Sequence, residues 1–393
     1  MSNKIKILIV SPYSLFPVHS GGKIRIFEIA RNLSEYDFEV TVIDPFIKIR
    51  KRSTIVINDR LRICSVNYPL SSIFALCAYR FLPFQYIVSF HPGYRFFIRE
   101  YLRAFDIYQF EHASFADLLD HLPSQKIVIY DAHNVEYDYV KSECRTAFAN
   151  KLALNRIYDL EKKLILRSAG IFTCSEEDKN RFVALYGAEK DKISVIPNGV
   201  KQVSNHSGIE DDIIKKFPRL SQFDRRILFS GSDVEHNRVA VRFILDKLAS
   251  QLKRECAFII KGTCGKRFKK YKIDNVFINA DGGDIKSYAA VSTAAINPVT
   301  QGGGTSLKVL DYLTYNLPVV STEFGMRGYG DLKPFVTVSS LNRFADAILK
   351  TRYLSSEVTE VLKGYLWSSS TSKIKDIYLL LKEKVANGEQ AVY

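Results

Sequence analysis

Residues 296–322 read INPVTQGGGTSLKVLDYLTYNLPVVST, and the alternation of element types in this stretch sets the architecture. An apolar run, residues 294–298, predicts a strand that enters a loop with three consecutive glycines. Leu307, Leu310, Leu313 and Leu317 then recur at helical spacing, and residues 317–321 predict a second buried strand. Glycines lack a Cβ, so backbone N–H groups can close on a bound group, and a helix N-terminus favours an anion there. With Thr305 as the helix cap, Lys308 falls in the first turn, where a cation opposes the helix dipole by ~0.3–1 kcal/mol. That placement makes sense if an anion fills the loop formed by Gly303, Gly304, Thr305 and Ser306. The alternative is a solvated lysine paired with Asp311 three residues on.

The front of the chain has the same arrangement. Residues 4–10, KIKILIV, predict a buried strand followed by a long loop, SPYSLFPVHSGG. Gly21 and Gly22 open a helix whose inward stripe is Ile26, Ile29, Ala30 and Leu33, with Lys23 and Arg25 in its first turn. Glu28 offers those cations a partner within the helix. Residues 175–178, Ser-Glu-Glu-Asp, provide the contrast of a capping serine followed by acids. Two glycine-led helix starts carrying cations thus predict two anion-facing loops, one in each half of the chain.

Around these loops the chain alternates between strand and helix signals. Strands are expected at 4–10, 39–43, 106–110, 126–130, 170–174 and 193–196, with a long helix carrying Ala153, Ile157, Leu160 and Leu164 on one face. Residues 201–225 are polar and weakly periodic and are expected to form a linker. Strand signals resume with RILFSG at Arg226 and continue at 257–260, 276–278, 294–297, 317–321 and 335–338. The expected domains are therefore 1–200 and 226–368. Two successive β-α-β series imply an α/β protein with two doubly wound, Rossmann-like parallel sheets, whose ligand sites lie at the carboxyl ends of strands.

Composition is compatible with that plan. The chain has 393 residues, enough for two cores, and its 47% hydrophobic content excludes disorder. Six scattered cysteines form no C-x-x-C pair or metal-like cluster, so a reducing, cytoplasmic compartment and no bound metal are expected. The apolar run at the N-terminus is too short for a signal peptide and reads as the first strand. A formal charge of +14 calls for an anionic partner. No nucleic-acid-binding motif is present and the lysines are dispersed, so nucleic acid is not expected. An anionic membrane surface is the better candidate: Lys48, Arg50, Lys51 and Arg52 cluster, and residues 94–105, YRFFIREYLRAF, mix arginine with large aromatics. The alternative for the latter segment is a core helix with solvated arginines. The apolar stretch 69–90 is interrupted by Arg80 and Pro83, which argues against a spanning helix.

Several separate blocks resemble the GT-B glycosyltransferases of the family 4 type. They are Ser20-Gly21-Gly22 with Arg25, FDIYQFEH ending at Glu111-His112, YDAHNVEYD from 130 to 138, FTCSEEDKNRF with ISVIPNGV, FSGS with Asn237 following, and GGGTSLKVLDYL with LPVVST. Their order and spacing match over roughly the whole chain. Trp367 resembles the aromatic before the family's last helix, expected here at about 370–384 and crossing back to the first domain. The resemblance implies two Rossmann-like domains facing a central cleft. It also implies a retaining, metal-independent transfer that uses a nucleotide-diphosphate sugar as co-substrate and needs no cofactor. The donor would bind to Gly21, Gly22, Ser232, Arg238, Gly303, Gly304, Thr305, Ser306, Lys308 and Asp311. The acceptor would meet Arg25, Glu111, His112, His133 and Asn134, and His112, Lys308 and Asp311 would be catalytic.

This chain departs from the family's pattern at four positions. Gly303 stands where the first of two glutamates is usual, and Asp311 stands at the second. Ser232 occupies the place of an arginine, with Arg238 as a stand-in for the following lysine. The resemblance points to a hexosyltransferase acting on a glycan, lipid-linked or other carbohydrate acceptor, in surface polysaccharide or glycoconjugate synthesis at the inner face of a membrane. Two other readings stay open: a sugar-nucleotide epimerase, and a non-catalytic sugar-nucleotide-binding scaffold.

Overall fold

The structure, a computed structural model, describes residues 4–45, 53–66, 84–89, 104–143, 147–201, 210–351 and 354–388. Contacts divide the chain into two units: Met1–Pro197 with Trp367–Tyr393, and Asn198–Leu366. Each unit is an α/β layer structure around its own sheet.

In the first unit the strands are β1 (Ile5–Val10), β2 (Phe38–Pro45), β3 (Ser53–Asn58), β4 (Leu61–Val66), β5 (Ile107–Phe110), β6 (Ile127–Ala132), β7 (Gly170–Thr173) and β8 (Ile193–Val195). They lie in the order β3-β4-β2-β1-β5-β6-β7-β8, parallel except for the antiparallel pair β3/β4. Strands covered on both faces read as continuous apolar runs, which is why ILIV and IVIY were legible. The hairpin β3/β4 was not expected. Its outer strand leaves Ile55 and Val56 exposed, so no buried face imposes a pattern on the sequence. The helix Ala147–Arg167 buries Ala153, Ile157, Leu160 and Leu164, the stripe its spacing predicts. The helix Trp367–Ala386 belongs to this unit, where Tyr378 stacks on Phe172 and meets Phe38 edge-on.

In the second unit β9 (Arg225–Ser230), β10 (Cys256–Lys261), β11 (Val276–Asn279), β12 (Ala294–Asn297), β13 (Val319–Ser321) and β14 (Val336–Val338) form an all-parallel sheet ordered β11-β10-β9-β12-β13-β14. Alternate residues feed its two faces: Ile227 and Phe229 join one apolar cluster, and Leu228 joins the other. The segment expected as a linker is instead part of this unit. The helix Glu210–Lys216 and the turn Pro218–Gln222 place Ile213 and Leu220 in its core, with Ile214, Phe217 and Phe223 packed against it, and this short apolar set is interspersed with charged residues. The unit boundaries accordingly fall at 197/198 and 366/367 rather than at 200 and 226.

In both sheets the strand order reverses once, between β1 and β5 and between β9 and β12. Within each unit, the loops after its own two strands at the reversal flank the place where such a sheet binds ligands. The basic cluster Lys48, Arg50, Lys51 and Arg52 and residues 94–103 lie outside the described residues. No described helix is long and apolar enough to cross a membrane. Cys64, Cys174, Cys256 and Cys264 are buried free thiols.

Candidate functional site

In the second unit the loop after β12 leads into the helix Leu307–Thr314. Gly302 and Gly304 have φ of 125° and 61°, conformations that favour glycine. A Cβ on Gly302 would stand 2.9 Å from His236 Nδ1, so the glycine also admits the imidazole. The helix cap is Ser306, one residue beyond the expected Thr305, and it makes no capping hydrogen bond. Its hydroxyl accepts from Asn297 Nδ2 (3.3 Å), whereas Thr305 Oγ1 is held by Asn198 (2.9 Å) and Tyr329 (3.2 Å). Arg327 donates to the Gly304 carbonyl. The glycine loop is thus braced from outside, and no side-chain cap covers the first turn of the helix. At Ser175, by contrast, the hydroxyl accepts the Asp178 N–H (3.1 Å) as the acidic start predicted.

Lys308 sits in that open first turn. Its Nζ donates to Asn237 Oδ1 at 2.6 Å and lies 4.8 Å from the Phe229 ring centroid. Burial pulls its pKa down to about 8. Asn237 is buried, and its Nδ2 donates to the Ser232 carbonyl (3.1 Å), joining the loop after β9 to the lysine. His236, beside it, is pushed down to about 3 by burial and by the charges of Lys308 and Arg238. Its Nδ1 is buried without a hydrogen-bond partner. Asp311, one helical turn after Lys308, is raised to about 7 by burial, with the Asp284 charge adding to the effect. Arg238, expected as a phosphate ligand, is engaged by Asp233 (2.9 Å) and Glu235 (2.6 Å), so its charge is already matched inside the unit.

In the first unit the loops after β1, β5 and β6 meet at a polar cluster. His112 follows β5 with φ 123° and ψ 153°, a region essentially reserved for glycine that costs a side-chain-bearing residue ~1–3 kcal/mol. Its Nδ1 is hydrogen-bonded to Glu136. Its Nε2 is 3.2 Å from the Tyr13 hydroxyl, which is also 3.3 Å from His133 Nδ1. His133 Nε2 meets Glu111 Oε2 at 2.7 Å. Asn134 donates to Glu136 Oε1 (2.9 Å). Gly22 lies beneath this group: a Cβ there would fall 1.9 Å from the Tyr13 hydroxyl. Gly21 is exposed at the helix start. Burial lowers the His112 pKa, but the charge and hydrogen bond of Glu136 more than offset it, so the group is raised. Burial, with the nearby His112, drives His133 well down, and burial pushes Glu111 up to about 7.

Arg25 supports this cluster from below. Its guanidinium contacts Asp131 through Nη2 (2.7 Å) and Nε (3.1 Å) and donates to the Ile196 carbonyl (3.0 Å), with both side chains buried. The negative group near this first-turn cation is therefore the protein's own Asp131, and Arg25, expected at the acceptor, takes a supporting place. Glu28 pairs with Arg31 (3.1 Å). Glu111 is likewise fully buried and also accepts from Gln109, which is held by Tyr378 of the C-terminal helix. Beneath Glu136, the buried Glu161 accepts the Glu136 and Tyr137 N–H groups (2.9 and 3.1 Å) and so caps the helix Glu136–Glu143. Ligand-type atoms of Glu111, Asp131 and His133 lie within 4.8 Å of one another. Asp131 is committed to Arg25 and His133 to Glu111, so we assign no cation to them. Tyr13, His236 and the linking role of Asn237 were not singled out from sequence. The clustering of Asp131, His133 and Glu136 after one strand was the available signal for the acid–histidine group.

Comparison with known proteins agrees with this architecture. The model of Glycosyltransferase Family 4 matches residues 19–202, and that of Glycosyl transferases group 1 matches residues 224–351. No significant match is found among curated protein sequences. A sucrose-phosphate synthase from Thermosynechococcus elongatus superposes with a TM-score of 0.72 at 12% identity, covering 97% of this chain and 100% of that one. HepE of Anabaena, in complex with UDP and glucose, gives 0.65 at 12% identity, with coverage of 95% and 99%. WaaG, a glycosyltransferase involved in lipopolysaccharide biosynthesis, gives 0.62 at 15% identity, with coverage of 94% and 95%.

Proposed function

Since the chain belongs to the family 4-like glycosyltransferases of the GT-B fold, we propose that it transfers a hexose, with retention, from a nucleotide-diphosphate sugar to a carbohydrate acceptor. The acceptor we favour is a glycan or lipid-linked saccharide at the inner face of an anionic membrane, which the formal charge of +14 would favour. The donor belongs to the second unit. The observation that carries this reading is Lys308 in an uncapped first turn, held by Asn237 beside a loop whose backbone only glycine adopts readily. UDP in HepE supports the donor class.

Glycosyl transfer develops positive charge at the anomeric carbon as the diphosphate leaves with negative charge. A fixed ammonium and backbone N–H groups aimed at that diphosphate lower the barrier, and they do so most in a site that excludes water. Lys308 supplies the ammonium and residues 303–305 the N–H donors. Asp311 is placed one turn further along, and we assign it the ribose hydroxyls of the donor. His112 faces a sugar hydroxyl in the first unit. In this scheme the departing phosphate oxygen takes the acceptor proton, so neither a metal nor a carboxylate nucleophile is required. Lys308→Ala should lower kcat by ~10²–10³ with a panel of nucleotide sugars, as expected for loss of one charge-stabilising donor. Transfer at wild-type rate by this variant would sink the assignment. Sugar epimerisation without an acceptor would favour the epimerase reading, and donor binding without turnover the scaffold reading.

A further inference from the structure

Glu136, His112, Tyr13, His133 and Glu111 are linked in that order by hydrogen bonds in the first unit, with Asn134 and Gln109 donating to the two end carboxylates. Its middle link is a single phenol whose oxygen is 3.2 Å from His112 Nε2 and 3.3 Å from His133 Nδ1. The outer nitrogen of each ring is tied to a carboxylate, Nδ1 of His112 to Glu136 and Nε2 of His133 to Glu111. With ionised carboxylates and neutral rings, both outer nitrogens carry N–H and both inner nitrogens present lone pairs to the phenol. Tyr13 has one proton and can satisfy only one of them. The other contact would then set two lone pairs against each other in a buried site.

One additional proton resolves the conflict in two ways. In the first arrangement His112 is an imidazolium: Nδ1–H donates to Glu136, Nε2–H donates to the phenol oxygen, the phenol donates to His133 Nδ1, and His133 Nε2–H donates to ionised Glu111. In the second, three protons have each moved one link along. Glu111 is the neutral acid and donates to His133 Nε2, His133 Nδ1–H donates to the phenol, and the phenol donates to the lone pair of neutral His112 Nε2. Total charge and proton count are the same in both.

We propose that these five groups hold one shared proton, and that Tyr13 and Glu136 are positioning residues that let His112 Nε2 alternate between donor and acceptor. Its use on a sugar hydroxyl, which would take the place of the Tyr13 hydroxyl at Nε2, rests on the proposed function, but the shared proton does not. The raised pKa values of Glu111 and His112 agree with a proton distributed between the two ends. The charged and titratable groups facing the chain are Arg25 and Asp131 beside His133, Asp131 and Tyr139 near Tyr13, and Glu161 behind Glu136. Gly22 makes the arrangement possible, because any Cβ would expel the phenol oxygen.

The test is ring ¹⁵N NMR of the full-length protein labelled at histidine, over about pH 5 to 8 where histidine titrates. His112 and His133 are expected to change together in one transition. Tyr13→Phe, which keeps the ring and removes the link, should split this into two independent transitions, and Gly22→Ala should do the same by displacing the hydroxyl. Two separate transitions in the native protein, or an unaltered single one in both variants, overturns the shared proton. In transfer assays Tyr13→Phe should lower kcat about tenfold, of the order of one hydrogen bond to a charged group, and alter its pH profile while donor KM holds. An unchanged profile overturns the positioning role, and the NMR result stands whether or not sugar transfer is the reaction.

Discussion

At the carboxyl ends of β1 and β5 the side chains are already answered by one another: Arg25 by Asp131, His112 by Glu136, His133 by Glu111. At the corresponding ends of β9 and β12 they are not. There Lys308 has the neutral Asn237 as its hydrogen-bonded partner, the buried Nδ1 of His236 has none, and the first helical turn lacks a side-chain cap. Both places are reversals of strand order in parallel sheets, yet in one the polar groups are paired internally and in the other Lys308 has no carboxylate as its hydrogen-bonded partner. In the proposed scheme the first holds geometry and protons, and the second receives an anion. Topology places both sites, but the balance of charge separates their roles.

The comparison can be broken most severely at Arg25. If Arg25 is held by its pairing with Asp131, Asp131→Ala should leave a buried guanidinium without its closest carboxylate and cost ~3–5 kcal/mol in urea unfolding. Replacing both partners, Arg25→Met with Asp131→Leu, should recover much of that loss, and a double variant as unstable as the single one would contradict the argument. In the second unit Asn237→Ala removes the neutral acceptor of Lys308 and should cost ~1.5–3 kcal/mol of transition-state stabilisation, read as a fall in kcat/KM with overall stability less affected.

The smallest effect expected is a titration. Lys308 is depressed to about 8, so the folded protein binds fewer protons than the unfolded chain between about pH 8 and the ordinary lysine value of ~10.4. Its contribution to stability without ligand therefore rises with pH in that window. Asp311, raised to about 7, binds more protons when folded from the ordinary ~3.9 up to about 7, so its contribution falls as pH increases there. Affinity for a nucleoside diphosphate should weaken as pH passes about 8, by up to about tenfold per pH unit as Lys308 loses its charge. Calorimetric titration of the diphosphate against native protein and Lys308→Ala would show this slope in the first and not in the second.

Much of this molecule was legible because doubly covered parallel strands leave an unbroken apolar signature. The strand–glycine–helix unit at 296–322 was readable to within one residue of its cap. The β3/β4 hairpin was not, since its exposed outer strand imposes no alternation. The segment 210–223 resembled a linker because the apolar side chains that fasten it, Ile213, Ile214, Phe217, Leu220 and Phe223, are set among charged and polar residues. The first-turn cations Arg25 and Lys308 looked alike in sequence, each set against the helix dipole. One of them answers a carboxylate 106 residues away and the other an amide 71 residues away.

Local order, the periodicity of apolar residues and the positions of glycine were determined by the sequence itself, because they follow from neighbouring residues and backbone sterics. The pairing of distant charges was decided only by the tertiary structure. Which cation is already neutralised, and which ring nitrogens share the Tyr13 hydroxyl, depends on strand order bringing residues from separate loops within hydrogen-bond distance. Short-range patterns in the chain do not encode that juxtaposition, and electrostatics acts on distance in space rather than along the chain.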